Sequence, residues 1–348
     1  MPLPLAPLGT LYGALVRTRL RLYRSGFLKS EKVCAPVISV GNITAGGTGK
    51  TPLVEWAARA LAGEGRRACV LTRGYGRADE RRRVVASDGH AVLADFEECG
   101  DEPRLLAERL VGAASVVCDR DRVAAARWAR EHLGADAFVL DDGFQHLRIA
   151  RDLDIVTLDA TEPWGGGHLL PRGRLREPPS SLARADCVVI TRAELAGDLE
   201  TLRAEAARLS GGRAAVIASR VRRRGLALLN PSADSANDEH EGRAVENDAA
   251  AFCAIGNPRA FFEQLRREGF GLRHTRAFVD HHRFTQADVD GVAREAAHSG
   301  ARVLLTTAKD AVKLRGLRLT LPCYVVEIGL EFEDEGRLLG LVRAALSG

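Results

Sequence analysis

The chain has 348 residues, 46% of them hydrophobic, and a formal charge of only +4, which suffices for one large domain or two ordinary ones with real cores. A charge this small, spread without a groove-binding motif or an aromatic stripe, argues against nucleic acid as a partner, and no obligate protein partner is evident. No run of about 18 apolar residues is available to span a bilayer, and the seven isolated cysteines, lacking any CxxC pair, fit reduced core thiols better than a zinc site.

At the N-terminus, Leu8, Leu11, Tyr12, Leu15 and Leu22 keep helical spacing, and Arg17, Arg19, Arg21, Arg24, Lys29 and Lys32 follow with Glu31 as the only acid in that stretch. The cations come after the apolar residues and no small-residue cleavage site follows them, a poor fit to a secretory signal. A helix lying on an anionic membrane surface suits this pattern. So does an amphipathic helix packed on its own domain.

From Pro36 onward, short apolar runs near 36–41, 68–73, 115–118, 137–141, 153–158, 186–191 and 214–219 alternate with helical stretches rich in Ala, Arg and Glu. This alternation predicts a doubly wound, mainly parallel α/β sheet with functional loops at the carboxyl ends of its strands. The segment 230–248 is polar and acidic and reads as a loop. Beyond it, strands near 251–255, 273–279, 302–307 and 323–328, with helices near 258–268 and 286–298, predict a second, smaller α/β domain. The expected boundaries are an N-terminal helix at 1–30, a first domain at 31–215, a β-ribbon linker with its loop at 216–248, and a smaller domain at 249–348.

The run Thr44-Ala45-Gly46-Gly47-Thr48-Gly49-Lys50-Thr51 follows one such strand and precedes a helical stretch that opens at Pro52, the context a phosphate-binding loop requires. Glycines let successive backbone N–H groups curl around a phosphate, and the helix N-terminus adds partial positive charge. Lys50 is placed to reach β- and γ-phosphates, and Thr51 to hold Mg2+. Thr44 departs from the usual first glycine of GxxxxGK[ST], and a glycine-rich turn with an incidental lysine is the competing explanation.

Two adjacent acids, Asp141 and Asp142, end the apolar run Ala137–Leu140 in the manner of a metal-binding carboxylate after a strand, although Asp-Asp-Gly is also good turn chemistry. Asp101, in Gly100-Asp101-Glu102-Pro103, is positioned as a helix N-cap. Asp280-His281-His282 lies just before a helix capped by Thr285 and Asp288; its adjacent histidines have no spaced set of partner ligands.

Taken in order, Val40-Gly41-Asn42-Ile43 with the phosphate loop, Arg73-Gly74-Tyr75-Gly76, Gly100-Asp101-Glu102-Pro103, Asp141-Asp142-Gly143-Phe144-Gln145-His146 and Asp280-His281-His282 resemble the tetraacyldisaccharide 4'-kinase family of lipid A biosynthesis over nearly the whole chain. That family also carries threonine at the position of Thr44. The resemblance implies a two-domain clamp joined by a β-ribbon. It implies transfer of the ATP γ-phosphoryl group to the 4'-hydroxyl of an acylated glucosamine disaccharide 1-phosphate, by a peripheral protein at the cytoplasmic face of the bacterial inner membrane. By matching motif, Asp101 is the catalytic carboxylate, His281 assists it from the second domain, Thr51, Asp141 and Asp142 serve Mg2+, and Gln145 supports them.

Gly173-Arg174-Leu175-Arg176-Glu177-Pro178 is similar to the family's Gly-Pro-Leu-Arg-Glu string, with Arg174 in place of proline. Arg176 is thereby assigned to charge neutralisation on the phosphoryl group and Glu177 to the metal shell; an exposed ion-paired loop is the alternative. A lipid acceptor favours the membrane role of the N-terminal helix.

Two other functions compete. A nucleotide-dependent switch or metallochaperone shares the phosphate loop, but no NKxD string occurs, since Thr307-Ala308-Lys309-Asp310 has the wrong spacing. A membrane-surface adaptor with a degenerate nucleotide site is opposed by intact Lys50, Thr51, Asp141 and Asp142.

Overall fold

A computed structural model describes residues 5–229 and 247–347. They form two compact units, one of Met1–Val221 with Leu330–Gly348 and one of Arg222–Gly329. Most of the acidic loop expected at 230–248 lies outside the described residues.

The first unit opens with helix α1 (Leu5–Arg24), strand β1 (Val37–Asn42), α2 (Lys50–Gly63), β2 (Ala68–Thr72) and β3 (Val84–Ser87). It continues through α3 (Phe96–Cys99), α4 (Asp101–Arg109), β4 (Ala114–Cys118), α5 (Arg122–Leu133), β5 (Ala137–Asp141) and β6 (Leu153–Asp159), then β7 (Cys187–Thr191), α6 (Leu199–Leu209) and β8 (Ala215–Leu228), which runs on into the second unit. The strand order is β8-β7-β6-β1-β5-β2-β4-β3. The pairs from β8 to β4 are parallel, and only the edge strand β3 runs antiparallel.

Parallel strands covered on both faces need apolar residues on both, and β1 and β5 have them. Ile38, Val40, Ala137 and Val139 enter a core shared with α2 and α4, whereas Val37, Phe138 and Leu140 enter one shared with α5. Each fully buried side chain of this size contributes about 1.5–3 kcal/mol. Helix α2 supplies Leu53, Val54, Ala57, Ala58 and Leu61 to the first core, and all are buried, the stripe expected of a helix on a sheet. Pro52 falls within its first turn, where no intrahelical N–H bond is lost.

Helix α5 is capped by Asp121, whose carboxylate accepts from Val123 N and Ala124 N at 3.1 Å each. Asp121→Ala is expected to lower stability by about 1 kcal/mol, read from the denaturant midpoint; an unchanged midpoint would show that the cap does not hold α5.

In the second unit, β9 (Ala249–Cys253), α7 (Pro258–Arg267), β10 (Leu272–Ala277), α8 (Gln286–His298), β11 (Val303–Thr307), α9 (Ala308–Leu314) and β12 (Cys323–Phe332) build a parallel sheet of order β10-β9-β11-β12. The fold is therefore α/β throughout, with a doubly wound first unit. The C-terminal helix α10 (Glu335–Ser347) departs from expectation. It was expected in the smaller domain, yet it packs in the first unit: Leu338, Val342 and Ala345 are buried beside Leu53, Val54 and Leu61. Trp56 Nε1 donates to Glu335 Oε1 at 2.7 Å. An apolar stripe at i, i+4 and i+7 is buried where a matching face exists, irrespective of nearness in the chain.

Candidate active site at the phosphate loop

Strand β1 lies between β5 and β6, so the loop after Asn42 emerges at the carboxyl edge of the sheet beside the end of β5, where open α/β folds bind ligands. Thr44 does not need to be glycine. It pairs with Leu175 in an isolated antiparallel bridge, and it is not among the residues with positive φ. Asn42 Nδ2 donates to Thr44 O (2.6 Å) and Thr48 Oγ1 (3.0 Å), and Thr48 Oγ1 lies 2.8 Å from Thr157 Oγ1. On the far side, Thr191 Oγ1 donates to Thr48 O (2.8 Å) and Arg192 Nη1 to Gly47 O (3.0 Å), while Arg192 also pairs with Asp159. The loop is thus held from three strands, and Lys50 and Thr51 begin α2.

Lys50 Nζ is 3.4 Å from Asp142 Oδ1, and Arg176 Nη1 donates to Asp142 Oδ2 at 2.6 Å. Burial works to raise the Asp142 pKa, but Lys50 and Arg176 outweigh it and hold the carboxyl at about 2. Asp141 is pushed the other way, to about 6, by burial first and then by Glu102 and Asp142, with Lys50 and the hydrogen bond from Thr72 opposing. Thr72 Oγ1 donates to Asp141 Oδ2 at 2.9 Å. Two neighbouring carboxylates driven apart in this way are a signature of a working site. Asp142 also sits at φ 52, a conformation unusual outside glycine that its two cations help to hold.

Asp101 is not the cap of α4, as its sequence context had implied. The cap is Gly100 at φ 97, ψ 161, a region essentially closed to other residues. A Cβ on Gly100 would meet Tyr75 O at 2.6 Å, and one on Gly74 would meet Cys99 O at 2.7 Å. The glycines of Arg-Gly-Tyr-Gly and Gly-Asp-Glu-Pro therefore interlock the two turns. Asp101 becomes the first helical residue, buried to 5% exposure, with its Oδ1 accepting from Glu102 N at 2.9 Å.

The structure brings Lys50, Asp142 and Arg176 into direct contact and sets Asp141 and the first turn of α4 within their electrostatic reach. Gln145 Nε2 donates to Asn42 O (2.9 Å), bracing the end of β1. Glu177, assigned by the resemblance to a metal shell, is buried and lies 3.0 Å from Arg184, a cation that offsets the cost of burying a carboxylate. Among the described residues, no three His, Cys, Asp or Glu side chains gather as a metal cage. Mg2+ needs no such cage, since it keeps waters and binds through one or two carboxylates plus phosphate oxygens. Thr51, Asp141 and Asp142 fit that demand, and the buried Asp142 Oδ1 has only its 3.4 Å ion pair with Lys50.

His281 belongs to the second unit. It sits at φ 61, with Asp280 Oδ1 accepting from its N–H (3.0 Å) and from Lys309 Nζ (3.2 Å), and Lys309 Nζ lies 3.5 Å from His281 Nε2. His282 turns away to Asp288 Oδ2 at 3.2 Å. The sequence had singled out neither Lys309 nor Arg122 for this chemistry. Arg122, 4% exposed at the start of α5, has its pKa lowered by burial while Asp141 and Asp142 act to raise it. The rarity of lysine, five in the chain, was a signal for Lys309; an arginine among so many carries none.

A model of the family described as tetraacyldisaccharide-1-P 4'-kinase matches residues 1–347. The chain belongs to this family. It is 48% identical over 325 residues to a tetraacyldisaccharide 4'-kinase of Anaeromyxobacter dehalogenans strain 2CP-C, covering 88% of this chain and 83% of that one. It is 42% identical over 317 residues to one from Pelobacter propionicus, covering 90% and 83%. Among solved structures, LpxK from Aquifex aeolicus in complex with ATP superposes with a TM-score of 0.74 at 30% identity, over 98% of each chain. This kinase is accordingly a phosphotransferase with an alcohol acceptor, and the switch or metallochaperone alternative is not favoured.

Proposed function

We propose that this kinase transfers the γ-phosphoryl group of ATP to the 4'-hydroxyl of tetraacyldisaccharide 1-phosphate, giving lipid IVA, as a peripheral protein at the cytoplasmic face of the bacterial inner membrane. The observation that carries the proposal is the convergence of Lys50 and Arg176 on Asp142 beside the phosphate loop.

Phosphoryl transfer depends on positioning and on neutralising charge spread over the phosphoryl oxygens. Backbone N–H groups of residues 44–51 cradle the phosphates, Lys50 bridges the β- and γ-oxygens, and Arg176 stabilises charge that develops in the transition state. When bound through Thr51, Asp141 and Asp142, Mg2+ supplies further neutralisation of the β- and γ-oxygens. The acceptor O–H gives its proton to Asp101 as its oxygen bonds to the γ-phosphorus and the bond to the ADP oxygen breaks. A carboxylate near the usual pKa of about 3.9 is a weak base toward an alcohol. His281, with Asp280 and Lys309 around it, is assigned to assist that proton transfer.

The acceptor carries acyl chains, and α1 presents a surface suited to them. Leu8, Leu11 and Leu15 are 51%, 59% and 63% exposed, an apolar strip along the helix, and Phe27, beyond its end, is 78% exposed. The helix is anchored alongside that strip: Tyr12 Oη donates to Arg176 O (3.0 Å), and Arg19 Nη2 donates to Gln145 O (2.9 Å). Among the described residues, no helix is long and apolar enough to cross a membrane. The activity is tested by a thin-layer assay with labelled ATP and the disaccharide 1-phosphate; label remaining wholly in nucleotide and inorganic phosphate would overturn it. Deleting residues 1–30 is expected to reduce sedimentation with anionic lipid vesicles several-fold, and full retention would place the anchoring on another surface.

A further inference from the structure

Residues 162–176 meet the entry of the phosphate loop mainly through Arg174. Its N–H donates to Gly165 O (2.8 Å), a bond that proline could not make, and its carbonyl accepts from Ala45 N (2.6 Å). Its side chain returns to the same residue, Nε donating to Ala45 O at 3.0 Å. A Cβ built on Gly46, at φ 112, would lie 1.8 Å from Arg174 Nη2. The guanidinium is therefore laid directly against the Gly46 backbone, at the rim of the cradle that receives phosphates.

The other cations at the loop have buried or nearly buried acid partners. Lys50 and Arg176 face Asp142, 12% exposed, and Arg192 faces Asp159, 6% exposed. Arg174 Nη1 is bound to Glu162 Oε2 at 2.5 Å, but this pair is 40% and 44% exposed. An ion pair so wet is worth roughly 0–1 kcal/mol, whereas a guanidinium engages phosphate through two parallel charge-assisted bonds. We propose that Arg174 is a further phosphate-positioning residue of this kinase: Glu162 holds its guanidinium ready, and the polyphosphate of ATP displaces that carboxylate when the nucleotide enters. The proposal rests on the phosphate loop being the ATP site.

The competing account is a strut, in which the Glu162–Arg174 pair only braces the loop. The two accounts give opposite signs for Glu162→Gln. A carboxylate that competes with phosphate would, once removed, lower the KM for ATP by about threefold, whereas loss of a brace would raise it. Arg174→Ala is expected to raise the KM for ATP about tenfold with a smaller change in kcat, and Arg174→Lys not to restore it, because a point charge lacks the planar fork. These constants are measured on the full chain with saturating disaccharide acceptor, with circular dichroism and thermal melting confirming that each variant is folded.

An unchanged or raised KM in Glu162→Gln, or an unchanged KM in Arg174→Ala, overturns the proposal. Lys50→Ala separates the two levels. If ATP affinity is unchanged by that substitution, the loop is not the ATP site and the proposal falls with it; if affinity drops there and Arg174→Ala is silent, only the role of Arg174 fails.

Discussion

Lys50→Ala is expected to lower phosphoryl transfer by on the order of a thousandfold. The ammonium lies 3.4 Å from Asp142 in a site where both side chains are about one-eighth exposed, at 13% and 12%. Its loss removes the cation that meets β- and γ-phosphate charge. It also leaves Asp142, now held at about 2 by Lys50 and Arg176 together, with Arg176 alone, so the carboxylate is less well neutralised where negative phosphates have to bind. Lys50→Arg is expected not to restore the rate, because a planar fork does not replace a compact ammonium at that depth. Turnover of labelled ATP into lipid decides the matter; a rate within tenfold of the parent enzyme would remove Lys50 from the mechanism.

Asp101→Ala and His281→Ala are each expected to cost roughly 10²–10⁴ in kcat while ATP binding is retained, the range for removing a positioned acid or base. For Asp101, Asp101→Asn is the sharper variant, because Oδ1 accepts from Glu102 N at the start of α4 and an amide oxygen preserves that bond. A rate lost in Asp101→Asn with an unchanged melting temperature assigns the effect to the carboxylate's charge. For His281, the left-handed backbone at φ 61 makes the surrounding loop part of the design, so nucleotide affinity and stability are to be measured beside the rate. Near-normal rates for both alanine variants would sink the proton-transfer assignment.

Much of the first unit was legible because a parallel strand buried on two faces is written as a continuous apolar run. Val37-Ile38, Ala137–Leu140 and Cys187–Ile190 could be placed within a residue or two. The antiparallel edge strand β3 was not expected. Its Val84-Val85-Ala86-Ser87 run is short and follows three arginines, and edge strands need only one apolar face. The loop from Thr44 to Thr51 was legible from its glycines and its strand-to-helix setting. The reason that threonine suffices at its head was not, since the Thr44–Leu175 bridge joins segments about 130 residues apart.

The sequence by itself determined the chemistry on offer: a phosphate loop ending in Lys50-Thr51, two acids after an apolar strand, and isolated Asp101 and His281 in glycine- or aspartate-marked turns. These are local patterns, and local backbone preference is what residue order encodes most directly. Only the tertiary structure decided which charges meet. It set Asp142 between Lys50 and Arg176, placed Arg184 beside the buried Glu177, and laid Arg174 on Gly46. Each of these turns on burial and on distances of a few ångströms between segments far apart in the chain: burial raises both Asp141 and Asp142, and it is Lys50 and Arg176, outweighing it at Asp142 alone, that drive the two neighbours to opposite protonation behaviour.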